Sequence, residues 1–104
     1  MKGGFTMTLK AEGWKNKKGT ANRSCNCGSW KQHWINCSEK SWPAKCSISG
    51  CTNTATLGAH IINSDVSGEY IVPACDSCNK LNDEFNLKGG ITLVSANKQK
   101  TCEK

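Results

Sequence analysis

With 104 residues, of which only 37% are apolar, the chain has room for one small domain with a marginal core. Eight cysteines are far above ordinary usage and supply the staple such a core lacks. No stretch is long enough to span a membrane, and MKGGFTMTLK has neither the apolar segment nor the cleavage site of an export signal, so a cytoplasmic protein with no membrane partner is expected.

In that compartment clustered cysteines bind Zn²⁺ more often than they pair. The alternative is a secreted, disulfide-stapled domain, eight hydrogens lighter than its reduced form. Asn22-Arg23-Ser24 and Asn36-Cys37-Ser38 match the glycosylation triplet that would suit it.

The charge of +6 is unevenly spread. Residues 1–24 carry Lys2, Lys10, Lys15, Lys17, Lys18 and Arg23 against Glu12 alone. They read as a basic, flexible arm with a short strand at Phe5–Leu9. Residues 25–104 hold eight positive and seven negative side chains and form the zinc-bound domain. A basic arm suits a polyanion such as nucleic acid, or it is a solvated tail.

Residues 25–45, CNCGSWKQHWINCSEKSWPAK, look like a zinc knuckle feeding a helix. Ser29 and Gln32 fit a capping box, so the helix starts at Trp30. Trp30, His33, Trp34 and Cys37 then share one face, and Pro43 blocks any continuation. The tryptophans read as core before they read as a base-stacking platform.

Gly50 allows a tight turn between Cys46 and Cys51. Thr54–Ile61 is rich in β-branched residues and predicts a strand, weakened in its middle by Gly58. Residues 63–69 predict a polar loop, and Tyr70–Val72 a second strand closed by Pro73. Asp76 can cap a helix over Ser77–Phe85, with Leu81 and Phe85 as its core face. After Gly89-Gly90, Ile91–Val94 predicts a third strand.

Cys46-x4-Cys51 and Cys75-x2-Cys78 are two chelating pairs, and four thiolates make a closed, structural zinc site. A helix start at the second pair favours thiolate. A second zinc site is expected from Cys25, Cys27 and Cys102 with either His33 or Cys37. The alternatives are a thiol at Cys37 and a His33 packed between tryptophans. The expected fold is thus a small zinc-stabilised α+β domain with a ββα core.

The stretch "CSISGCTNTATLGAHI…EYIVPACDSCNKLNDEF", about residues 46–85, resembles the HNH or His-Me finger family of zinc-stapled ββα-metal nucleases. There a cysteine pair precedes a strand ending in histidine, and a second strand leads to C-x2-C at a helix start. The resemblance implies that His60 is the general base activating water against a phosphodiester, a task suited to imidazole. It implies that Asn79, with Asn82 or Asp83 a turn further on, holds a catalytic Mg²⁺ or Mn²⁺. The chain departs from the family at Ala59, where many relatives carry Asp or His, and at Tyr70, near the family's asparagine that orients the base. Asn63 is a nearby substitute for that asparagine. CNCGSWKQHW and TCEK lie outside the core and are similar to small phage and bacterial proteins, which would place the chain in an infected cell.

Two functions compete. One is a metal-dependent endonuclease built on His60. The other is a catalytically inactive zinc module of phage type, which binds nucleic acid, DNA before RNA, or inhibits a nucleic-acid-processing host protein. His60 would there be a relic of the site or a structural histidine.

Overall fold

The computed structural model describes residues 11–18 and 28–96. In chain order the elements are β1 (Trp14–Asn16), α1 (Trp30–Ser38), β2 (Leu57–Asn63), β3 (Val66–Ala74), α2 (Asp76–Asn79) and β4 (Val94–Ser95). The strands form one antiparallel sheet in the order β1-β2-β3-β4.

The β2–β3 hairpin is the centre of the sheet. It forms where β-branched and aromatic residues are dense, and its register runs from Leu57 opposite Ala74 to Asn63 opposite Val66. The stretch expected as a loop over 63–69 is mostly strand. Only Ser64 and Asp65 turn, because the Asn63 side-chain oxygen accepts the Asp65 N–H at 2.9 Å and closes the chain locally. Pro73 does not end β3, which runs on to Ala74. β4 pairs only as far as Tyr70 and Ile71, so no strand on that edge asks Pro73 for an N–H.

Successive side chains of a strand point to opposite faces, and the hairpin separates two layers this way. Ala59 and Ile61 of β2, with Val72 and Ala74 of β3, face a cluster that holds Trp14, Phe85, Leu87, Cys46, Cys75 and Cys78. Ile71 faces the other way and packs with Trp34 of α1 and Val94 of β4. α1 begins as expected: Ser29 is its N-cap and accepts the Gln32 N–H at 3.0 Å. The Gln32 side-chain nitrogen donates to the Asn36 oxygen at 2.8 Å, one turn on. His33 and Trp34 are the buried residues of the helix, and Trp34 meets Trp42 edge to face at 5.5 Å.

Gly58 has a different role from the one its place in a strand suggests. A Cβ there would lie 2.7 Å from the Trp30 carbonyl carbon and 2.9 Å from an Ile71 methyl. The glycine lets the first turn of α1 rest directly on β2.

Three further expectations are corrected. Residues 14–16, read as part of a flexible arm, form a strand of the sheet, and Trp14 is fully buried. Trp14 is bonded on both sides: it pairs with Asn63 in β2 and exchanges two backbone hydrogen bonds with Phe85, at 3.0 and 2.8 Å. Residues 1–10, including the strand expected at Phe5–Leu9, and residues 19–24 lie outside the described residues. The helix expected over 77–85 is the single turn Asp76–Asn79. It stops because Phe85 is drawn into extended pairing with Trp14, and the Asn16 amide donates to the carbonyls of Cys78 and Leu81 at 2.9 and 3.0 Å. The third strand is Val94–Ser95, later than the predicted Ile91–Val94.

The architecture is therefore a small α+β fold on a four-stranded antiparallel sheet. Among the described residues no helix is long and apolar enough to cross a membrane.

Candidate metal centre

Four thiols converge beside the cysteine-bearing face of the sheet. The sulfurs of Cys46, Cys51, Cys75 and Cys78 all lie within 4.8 Å of one another. The Cys51 and Cys75 sulfurs are 3.8 Å apart. Four sulfurs at ~2.3 Å from a central Zn²⁺ in a tetrahedron stand ~3.8 Å from each other, so the spacing fits that ion. It is far beyond the ~2.05 Å of a disulfide, and none of the five described cysteines is in one.

Each pair is delivered by a local device. Cys46 and Cys51 flank a turn in which the Cys51 N–H donates to the Ile48 carbonyl at 3.1 Å, with Gly50 at φ +85°. That conformation costs glycine little and most residues more. Cys75 is the N-cap of α2: its sulfur accepts the Cys78 N–H at 3.4 Å. Asp76, the cap expected from sequence, is instead the first helical residue and pairs with Lys80 at 2.9 Å.

The first of these turns is tied to the sheet. Ser49 donates its N–H to Asn86, and Lys88 donates to Ser47, so residues 86–88 run alongside the first knuckle. Leu87 bridges Ile48 there, while Phe85 bridges Trp14 of β1. One short segment therefore joins the knuckle to the sheet edge.

The thiols differ in acidity. Burial works against ionisation of Cys75, but the Cys78 N–H, the Asn53 amide and the neighbouring thiols of Cys78 and Cys51 outweigh it and bring it down to about 6. Burial pushes the Cys46 thiol up, and burial reinforced by the Cys51 and Cys75 thiols pushes Cys78 up. Of these three, Cys75 is the thiol most readily ionised. A divalent cation held by the four sulfurs would supply the charge that favours their thiolate forms, and a soft all-sulfur set suits structural Zn²⁺.

The other residues singled out from sequence are placed as follows. His60 lies in the middle of β2 and is 5% exposed. Its ring stands 4.3 Å from that of Trp30, on the α1 side. His33 also meets Trp30, at 4.9 Å, so one indole separates the chain's two histidines. Asn79 ends α2, next to Cys78, on the cysteine side. Asn82 is exposed and accepts a hydrogen bond from the Lys18 ammonium, and Asp83 is exposed as well. The sheet therefore stands between the His60 ring and the element that carries Asn79. Asn63 is committed elsewhere: its amide donates to the Glu12 carbonyl at 2.8 Å while its oxygen holds the turn. Ala59 is core, and Tyr70 packs its ring against Trp14 at 6.0 Å.

Of the expected second zinc site, Cys25, Cys27 and Cys102 lie outside the described residues. The His33 Nε2 meets the Ser95 carbonyl at 2.9 Å and must donate to it, and burial holds the imidazole pKa below its usual value. Cys37 packs under α1 with the Trp34–Ile71–Val94 cluster. Two structural residues carried no sequence signal. Asn16 and Asn53 reach the centre only through contacts 62 and 22 residues away.

Comparison with protein-family models, with curated proteins and with solved structures finds no match for this chain.

Proposed function

We propose that the chain is a zinc-stapled binding module for nucleic acid, in which the metal builds the fold and takes no part in chemistry. The observation that carries this reading is the closed set of four sulfurs. Nucleic acid is the ligand that the charge favours: +6 overall, with Lys15, Lys17 and Lys18 along and just beyond the β1 strand. The reading keeps the HNH-like order of knuckle, hairpin, C-x2-C and helix as a frame. It leaves aside hydrolysis because His60 is buried against Trp30, on the face away from α2.

Titrating zinc-loaded protein into labelled single- and double-stranded DNA over a salt series tests it. Binding is expected, with log K falling against log salt by about 2 to 3, from ~0.9 per phosphate contacted by the three lysines. Replacing Lys15, Lys17 and Lys18 together by alanine should flatten that slope. Supercoiled plasmid should stay intact with Mg²⁺ or Mn²⁺ as it does with EDTA. Nicking that His60→Ala abolishes would restore the nuclease reading, and no salt-dependent binding at all would move the search to a host protein.

A further inference from the structure

Where the chain leaves α1 and crosses the ends of the sheet, a cleft of about 200 Å³ opens between Trp34, Pro43, Pro73 and Ile91. These side chains make its walls apolar. Lys40, Ser41, Ser47 and Thr92 interrupt them with polar groups. The Lys40 ammonium donates to the Thr92 hydroxyl at 2.8 Å, and an ammonium has two further N–H donors. Ser47 also lines the cleft, is fully buried, and its hydroxyl has no hydrogen-bond partner among the described residues. Its main chain is fixed on both sides, N–H to the Pro73 carbonyl and C=O to the Lys88 N–H, each at 2.9 Å. A buried hydroxyl without a partner is costly, and its usual resolution is a ligand or a water.

None of the four cysteines lines the cleft, and among the described residues no acidic side chain does. One cation with no counter-charge among the described residues that line the cleft matches a ligand of one negative charge. The apolar walls match a ligand with an apolar stem, and the volume is below that of drug-sized pockets. We propose that this cleft binds a small monocarboxylate, its oxygens on the Lys40 ammonium and, after a small shift that uncovers it, the Ser47 hydroxyl, with its short apolar stem against Trp34 and the two prolines. Trp34 is well placed to report binding, since its indole N–H already donates to the Thr92 carbonyl at 3.0 Å.

The test is a heteronuclear NMR titration of the zinc-loaded full chain with butyrate, with butylammonium and inorganic phosphate as the other arms. Butyrate should give saturable shifts at the Ser47 and Thr92 amides and the Trp34 indole, with Kd of about 1 mM for so small a ligand. Lys40→Met keeps the aliphatic stem and should weaken binding at least about tenfold while leaving the remaining spectrum in place. Thr92→Val, which removes only the hydroxyl that holds the ammonium, should weaken it less. The proposal is overturned by an absence of saturable shifts, by equal binding of phosphate or butylammonium, or by unchanged affinity in a folded Lys40→Met protein.

Discussion

On one face of the sheet Ala59, Ile61, Val72 and Ala74 pack toward four thiols that come from two distant turns. On the other, Ile71 packs under α1 with Trp34 and Val94, and both histidines lean on Trp30. The first layer brings donors separated by 24 residues to one point, where four sulfurs could hold a metal ion. The second is closed by aromatic shape and by a few hydrogen bonds to carbonyls, such as those of His33 to Ser95 and Trp34 to Thr92. A small chain has few apolar side chains to fill two layers, and it gathers thiols where coil is abundant and tryptophan where a helix is available. Chemistry based on His60 would need groups from both layers, which the sheet holds apart.

The largest expected effect is removal of the metal. Structural zinc sites contribute ~10 kcal/mol or more to folding, comparable with the whole stability of a small domain. Stripping zinc with a strong chelator, or replacing Cys78 by serine, should abolish the dispersed amide spectrum of both layers together. If the amides of α1 kept their protection while those around Cys46–Cys51 collapsed, the two faces would be independent units, and the comparison would have to be redrawn on that basis.

A smaller effect, confined to the other layer, is expected from Gly58→Ala. The added Cβ meets the Trp30 backbone and not the tip of a flexible side chain. Pushing α1 off the sheet should cost about 1 to 3 kcal/mol, with zinc stoichiometry unchanged. Denaturant unfolding of the zinc-loaded variant reads the first quantity, and metal analysis reads the second. An unaltered midpoint would mean that α1 is not seated on β2 as described.

The smallest effect is a pH dependence from His33. Burial holds its native pKa below 6.5, with the Ser95 carbonyl partly opposing the shift. The unfolded imidazole therefore takes up its proton first as pH falls. The stabilisation from neutral His33 is complete above about 6.5 and is lost as pH drops through that value toward the depressed native one. Zinc release adds its own acid sensitivity, so the informative quantity is the difference from His33→Gln, whose amide can still donate to Ser95. Comparing the two proteins' denaturation midpoints at about pH 7.5 and about pH 5.5 should show a larger loss in the wild type. Equal losses would remove His33 from the pH response of the α1 layer.

Much of the candidate site was legible because its signals are local. Cys46-x4-Cys51 and Cys75-x2-Cys78 are chelating spacings wherever they occur, and Gly50 marks the turn that one of them needs. Ser29 before Trp30 announces a helix start by the same kind of short-range bond that forms there. The hairpin was visible in its β-branched runs, although its turn was overestimated because Val66 to Glu69 read as polar loop residues.

What stayed hidden was settled by contacts between distant residues. Three residues of a lysine-rich segment become a strand because Trp14 finds Asn63 on one side and Phe85 on the other. Phe85, claimed by that pairing, cannot continue α2, so the helical periodicity of Leu81 and Phe85 goes unused and Leu81 stays exposed. Sequence by itself determined the four-sulfur set, the hairpin and the start of α1, since each rests on residues a few positions apart. Only the tertiary structure decided which face of the sheet receives His60, where α2 stops and what β1 is, because hydrogen bonds across 60 or more residues outweigh a weak local preference.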